Sequence, residues 1–275
     1  MKKFLKILPN FVLIFLRVVK SKIDAYMIQN SIRGTKEDYL NLYKETINTK
    51  YPEIESFLAD KEKDDGFINE LALTTQIVIK GSALNFQHGR LIYALLVAYI
   101  RNNQSINNLV LLDIGTARGF SSIIMSRACI NKNIESEIHT IDILPHNKKM
   151  YWNCINDVKF GKQSRKQLLS EYNNYTKKIF FHTGKSKKII NRLSLDRIHF
   201  SFIDGSHDYE DVKFEYLFIS SKQIKGDLIL FDDVTDGVFD GIFKLINEIE
   251  DSKIYSIVRI NSSKKRGYAI AKKLI

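Results

Sequence analysis

The stretch LVLLDIGTARGFSSIIM, residues 109–125, decides how the chain folds. Apolar residues run into Asp113, then come Gly115 and Gly119, then an apolar run of helical character. A short continuous apolar run fits a central parallel strand covered on both faces. A glycine-bearing turn after it fits the strand-to-helix loop where open α/β sheets bind ligands, at the carboxyl ends of the strands. Gly115 would let the backbone turn tightly beside a ligand, and Gly119 would let the helix start close to the sheet. A dinucleotide loop has three glycines as GxGxxG; here the spacing is Gly-x-x-x-Gly with an acid two residues ahead. That acid disfavours a pyrophosphate and suits a cationic ligand.

Outward from this stretch the pattern repeats. Strand candidates fall at 109–114, 137–143, 178–183, 198–204, 227–233, 255–260 and 267–273. The first five alternate with helical stretches, the βαβ signature of a parallel sheet. The last two are separated by NSSKKR, too short for a helical crossover, so they pair antiparallel. The fold class is therefore α/β: a Rossmann-like doubly wound sheet of five parallel strands with a C-terminal antiparallel hairpin. HGRLIYALLVAYIRN, from His88, reads as a helix apolar all round that packs on the sheet. Residues 1–85 read as a charged helical extension without a strand pattern, and residues 86–275 as the ligand-binding domain.

Composition bounds the function. The chain has 275 residues, 44% hydrophobic, with three prolines and a net charge of +11, enough for a sizeable core and free of long linkers. The charge is uneven. Residues 145–192 hold twelve Lys/Arg against Asp157 and Glu171, and residues 1–22 hold six basic residues and no acid. Each stretch reads either as a solvated basic surface or as a contact, with an acidic substrate in the first case and an anionic membrane surface in the second. The run Ile7–Leu16 is too short to span a bilayer and lacks a following cleavage site, so residues 4–20 read as an amphipathic helix for peripheral contact. Cys129 and Cys154 form no CxxC pair and no disulfide framework, which makes the cytoplasm, or the inner face of its membrane, the expected location.

The second strand closes on Asp142, twenty-three residues after Gly119, where an acid commonly accepts hydrogen bonds from both hydroxyls of an adenosine ribose. An adenosine ribose joined to positive charge describes S-adenosyl-L-methionine. On LLDIGTARGFSS, TIDILPH, FIDGSHDYED and GDLILFDDV, the chain resembles the class I S-adenosylmethionine-dependent methyltransferases over about residues 85–275. Within them it is most similar to the metal-dependent small-molecule O-methyltransferases, which include macrolide- and aminocoumarin-sugar methyltransferases and, more distantly, catechol O-methyltransferase. The resemblance implies cofactor contact by Asp113, Gly115, Thr116 and Gly119, with Asp142 on the ribose and Ser186 toward the adenine. It also implies that Asp204, Asp232 and Asp233, at the ends of the fourth and fifth strands, hold Mg²⁺. Oxygen-only ligands on adjacent strand ends suit that hard cation. Asp233 can join them only if the strand stops before it, because consecutive strand residues face opposite ways.

Methyl transfer to a hydroxyl needs the proton removed, and His207, three residues beyond Asp204, can serve as the base or orient Asp204. Asp204 and His207 are thus the candidate catalytic pair. His88 and Arg90 could reach the cofactor's carboxylate, though capping or packing fits each better; His182 and His199 lie in strand patterns and read as structural. The segment from Leu144 to Tyr175, with the single Trp152, resembles the family's variable insert over the acceptor, or is an amphipathic helix with a core tryptophan. These readings describe a Mg²⁺-assisted O-methyltransferase acting on a small hydroxylated acceptor, a sugar or glycan precursor, neutral or anionic. The alternatives are an RNA ribose methyltransferase and a non-methylating nucleotide-binding protein on the same scaffold. DGSHDY, in the place of an Asn/Asp-Pro-Pro-aromatic motif, disfavours amino methylation of bases, and nucleic acid is not the expected partner.

Overall fold

The computed structural model describes residues 31–263 and 266–275. The reading of residues 4–20 as a membrane-contacting helix lies outside them. In chain order the helices are α1 (Lys36–Asn48), α2 (Pro52–Phe57), α3 (Asp65–Thr75), α4 (Gln87–Asn102), α5 (Phe120–Asn131), α6 (Ile155–Phe160), α7 (Arg165–Leu168), α8 (Asn173–Thr176), α9 (Ser186–Ile190), α10 (Tyr209–Ser221) and α11 (Asp240–Ser252). The strands are β1 (Asn108–Ile114), β2 (Glu135–Asp142), β3 (Ile179–Thr183), β4 (Phe200–Ile203), β5 (Leu228–Phe231), β6 (Tyr255–Ser263) and β7 (Arg266–Lys273). They form one sheet in the order β3-β2-β1-β4-β5-β7-β6. The first five are parallel, while β7 is antiparallel to both β5 and β6. The seven apolar runs of the sequence thus become the seven strands.

Period-two alternation sorts each strand between two cores. Leu109 and Leu111 of β1, Leu228 and Leu230 of β5, and Tyr268 and Ile270 of β7 face one hydrophobic cluster, which α4 and α5 cover. Leu112 and Ile114, Ile229 and Phe231, and Ala269 and Ala271 face the other, covered by α10 and α11. Residues N-terminal to 86 enter the first cluster through Tyr39, Tyr51, Ile54, Leu58, Ile68 and Leu71. The charged helical extension is therefore part of the wall over that face of the sheet. No helix among the described residues is long and apolar enough to cross a membrane.

The segment between β2 and β3 folds around Trp152, which is buried with Met150, Cys154 and Leu168 and donates its indole N–H to Gln163 O at 2.7 Å. It clamps the glycine loop from both sides. Arg165 Nε donates to Ala117 O at 2.8 Å, and Arg118 Nε of the loop donates to Trp152 O at 2.6 Å.

Candidate active site

The strand order reverses between β1 and β4, and that switch point places a ligand at the carboxyl ends of these strands and their neighbours. A cavity of about 560 Å³ opens there, within the range of small-molecule sites. Gly115 lines it, at φ +109°, and a Cβ on it would lie 2.1 Å from Asp204 O, so the close approach of loop to β4 requires glycine. Gly119 sits at φ +93°, where a Cβ would meet Leu169 of the insert at 2.7 Å; it fits the start of α5 against the insert and does not line the cavity.

Asp113 and Thr116, expected at the cofactor, lie beneath the loop. Asp113 is fully buried and accepts from the hydroxyls of Ser121 (2.9 Å), Ser122 and Thr140 (2.7 Å). Burial pushes its carboxyl up and the three hydroxyls pull it part of the way back. Thr116 Oγ1 lies 2.5 Å from Thr140 Oγ1. The acid that seemed to await a cationic ligand is thus an internal brace for the loop, because α5 brings two serines onto it.

Asp142 and Ser186 do line the cavity. Asp142 accepts from Ala117 N–H at 2.6 Å and Leu144 N–H at 2.7 Å, one on each oxygen. A carboxylate has about four acceptor sites, so two remain for a diol. Glu215 of α10 lines the same cavity and was not singled out in the sequence. Neither of its oxygens has a well-formed hydrogen bond, and burial pushes its carboxyl up to about 7, with the nearby Ser186 hydroxyl offsetting part of that.

The three strand-end acids lie near one another, the Asp232 charge acting on both Asp204 and Asp233. β5 stops at Phe231, Asp233 takes φ +57°, and Arg266 Nε reaches both Asp232 Oδ1 at 3.1 Å and Asp233 Oδ1 at 3.5 Å. Asp204 lies on the wall of the cofactor-sized cavity, and Asp233 on the wall of a second cavity of about 820 Å³. His207 Nε2 lies 3.4 Å from Asp233 Oδ2, with its ring against Phe239. The cluster also holds two residues the motifs did not reveal there. His88, from α4, stacks on Phe202 and brings Nδ1 to 3.7 Å from Asp232 Oδ2; burial drives its pKa down to about 4, so it is neutral. Arg266, at the start of β7, gives Nε to Asp232 Oδ1 at 3.1 Å and Nη2 to Asp232 Oδ2 at 2.5 Å.

Charge follows from this pairing. Burial would raise the Asp232 carboxyl, but Arg266 outweighs it and holds the group below its ordinary value. Burial, with the Asp232 charge second, pushes Asp204 well up and Asp233 up. A Mg²⁺ ion takes oxygen ligands in a near-ideal octahedron at about 2.0–2.1 Å. The implied ligand set fits it poorly, since both oxygens of Asp232 already serve the Arg266 guanidinium. Among the described residues no group of three or more His, Cys, Asp or Glu side chains is arranged to hold a metal ion.

The second cavity takes its remaining wall from residues within 42–51 and 78–85, with Phe239, Ser262, Ser263 and Arg266. The basic insert contributes nothing to it. Lys80 lines it and pairs with no carboxylate among the described residues; burial first, and Arg266 second, pull its ammonium pKa down. The remaining candidates are structural. Arg90 bonds Glu55 and Asp65, His182 Nε2 meets His139 Nδ1 at 2.9 Å, and His199 Nδ1 accepts from Val110 N–H at 3.0 Å. Both cysteines are free and buried.

Residues 112–234 match the model of a family described as a methyltransferase domain. A comparison with curated proteins finds no match. Among solved structures the chain is similar to the O-methyltransferase TomG from Streptomyces achromogenes, in complex with SAM (16% identity, 80% of this chain and 95% of that one, TM-score 0.52). It is likewise similar to an O-methyltransferase from Bacillus cereus in complex with SAH (15%, 87% and 98%, TM-score 0.51) and to the O-methyltransferase NovP (12%, 77% and 99%, TM-score 0.55). At these identities the likeness is one of fold. The matched segment runs from Leu112 of β1 to Val234 just beyond β5, the part of the sheet whose carboxyl ends carry the first cavity, so in that segment the chain is similar to a methyltransferase domain.

Proposed function

We propose that the chain transfers the methyl group of S-adenosylmethionine to a hydroxyl of a small acceptor seated in the second cavity. The observation that carries this reading is the position of the acids: Asp204 borders the cofactor-sized cavity and Asp233 the other, within one cluster. In the reaction the acceptor oxygen bonds to the methyl carbon, the carbon–sulfur pair stays on sulfur, and the hydroxyl proton leaves to a base. Asp233 is the wall residue placed to take it, with His207 behind it at 3.4 Å to share the proton. Gly115 and Asp142 hold the cofactor, the one by letting the backbone approach and the other by accepting from the ribose. The resemblance assigns Mg²⁺ to Asp204, Asp232 and Asp233, and the pairing of Asp232 with Arg266 makes that set a poor fit, so activation of the hydroxyl rests on Asp233 and His207.

Lys80, which lines the second cavity and pairs with no carboxylate among the described residues, supports an acceptor with negative charge as well as hydroxyls, a sugar or glycan precursor bearing phosphate or carboxylate. The test is thermal unfolding with S-adenosylhomocysteine or NAD, each with Mg²⁺ or chelator. At about 100 times its Kd a ligand adds roughly 2.7 kcal/mol. The expected result is a rise of the midpoint with S-adenosylhomocysteine alone, lost in Asp142→Ala. A rise with NAD instead would sink the reading.

A further inference from the structure

A cluster of three carboxylates, Asp232 buried and Asp204 and Asp233 half-buried, needs a counter-charge, because isolated ionised groups are costly to remove from water. This chain supplies one covalently. We infer that the Arg266 guanidinium occupies the place in the acid cluster that a divalent cation would take, so that the cluster is assembled without a metal ion. The inference rests on the methyltransferase reading only for the name of the site; the geometry stands without it.

Asp232 is the middle acid, and its side chain has no exposed surface. Its Oδ1 accepts from Arg266 Nε at 3.1 Å and from Asp233 N–H at 2.7 Å, and its Oδ2 accepts from Arg266 Nη2. His88 closes the far side, its Nδ1 buried without a hydrogen-bond partner and 3.7 Å from Oδ2. Arg266 Nε also stands 3.5 Å from Asp233 Oδ1, so one guanidinium serves two of the three acids. Two parallel bonds between guanidinium and carboxylate are the strongest charge-assisted arrangement available to these side chains.

The backbone fixes the arginine there. β7 pairs with β5 through Phe231 and Ala269, and Val234 N–H donates to Gly267 O at 2.8 Å. A Cβ on Gly267 would lie 2.4 Å from Val234 O, so the two backbone segments touch beside Arg266 and hold its Cα near the acids. A cation binding all three acids would have to break both guanidinium bonds and leave a second positive charge beside the first. Arg266 is here a positioning residue: it sets where Asp232 and Asp233 point, and leaves Asp204 and Asp233 as acceptors on the two cavity walls.

The experiment is a Mn²⁺ titration, followed by loss of the free-ion electron paramagnetic resonance signal, on chelator-treated wild type, Arg266→Ala and Arg266→Gln. Each protein is first shown to be folded by its circular dichroism and its unfolding transition. Wild type is expected to leave the signal unchanged, and Arg266→Ala to bind Mn²⁺ at least about tenfold more tightly, since three carboxylates are then free for a hard cation. A further Asp204→Asn exchange on Arg266→Ala should abolish that gain. Arg266→Gln keeps a donor but drops the charge; it answers the same question if the alanine variant does not fold. Tight Mn²⁺ binding by wild type that depends on Asp204 would overturn the inference. So would absence of binding in every folded variant, because the acids would then form no cation site for Arg266 to fill. S-adenosylhomocysteine binding, measured in parallel, decides the methyltransferase reading separately from either result.

Discussion

Glu215 shows how one side chain can carry the pH response of a cavity. Its carboxyl has an ordinary value of 4.5 and is pushed up to about 7 by burial. The folded state therefore keeps its proton over a range in which the unfolded chain has lost it. Stability from this group is intact below about pH 4.5, falls as pH rises toward 7, and is lost above that, for a total on the order of 3 kcal/mol. Glu215→Gln should flatten this slope: the variant gains on wild type between about pH 5 and 8, measured by urea unfolding across the range. An unchanged slope would show that Glu215 ionises freely in the folded protein. A helix acid two residues from a lysine looks like a solvent-facing charge in the sequence, which is why Glu215 escaped notice. Asp142, Asp204 and Asp232 were legible because each ends a continuous apolar run. Arg266 was not: it belongs to no motif, and only the antiparallel register of β7 on β5 carries it to acids more than thirty residues earlier.

Among the elements, the insert between β2 and β3 and the segment before α4 divide the work differently from the expectation. The basic insert holds the glycine loop through Arg165 and packs Leu169 against Gly119, whereas residues 42–51 and 78–85 wall the second cavity. Besides the ring contacts of Phe67 with Tyr172 and Tyr175, Asn153 ties the two segments by hydrogen bonds. Asn153 Oδ1 accepts from Ile79 N–H at 3.2 Å and Tyr39 Oη–H at 3.1 Å, and its Nδ2 donates to Ile79 O at 2.9 Å. Asn153→Ala removes all three bonds and places alanine at φ +53°, a left-handed value that asparagine tolerates better. The expected cost is on the order of 2–4 kcal/mol in urea unfolding, with faster hydrogen exchange at the Ile79 amide. Unchanged exchange there would separate the two segments. No sequence pattern announces this tie, since a lone asparagine in MYWNCIND is indistinguishable from a turn residue.

Taken as a molecule, the chain has its strands written in its apolar runs, but its covering layer is not. The change of pattern near residue 86 marks where β–α alternation begins, while one hydrophobic cluster runs across it from Tyr39 to Ile270. A fragment of residues 86–275 should therefore expose the α4 face, bind the dye ANS and lose near-ultraviolet circular dichroism, in contrast to the full chain. A monomeric fragment with a sharp unfolding transition would show that the preceding helices are dispensable for folding.

The placing of β7 between β5 and β6 has a consequence for how the protein is made. Translation delivers β6 before β7, yet β6 has no contact with β5 in the sheet and must wait for the strand that separates them. During synthesis the flank of β5 stays open, with its backbone groups unpaired, and Asp232 stays without its partner. An open strand edge beside an uncompensated acid invites pairing with the wrong chain but resists burial. Arrival of Arg266 satisfies both at once, so closure of the sheet and neutralisation of the acid become a single late event in the life of the nascent chain.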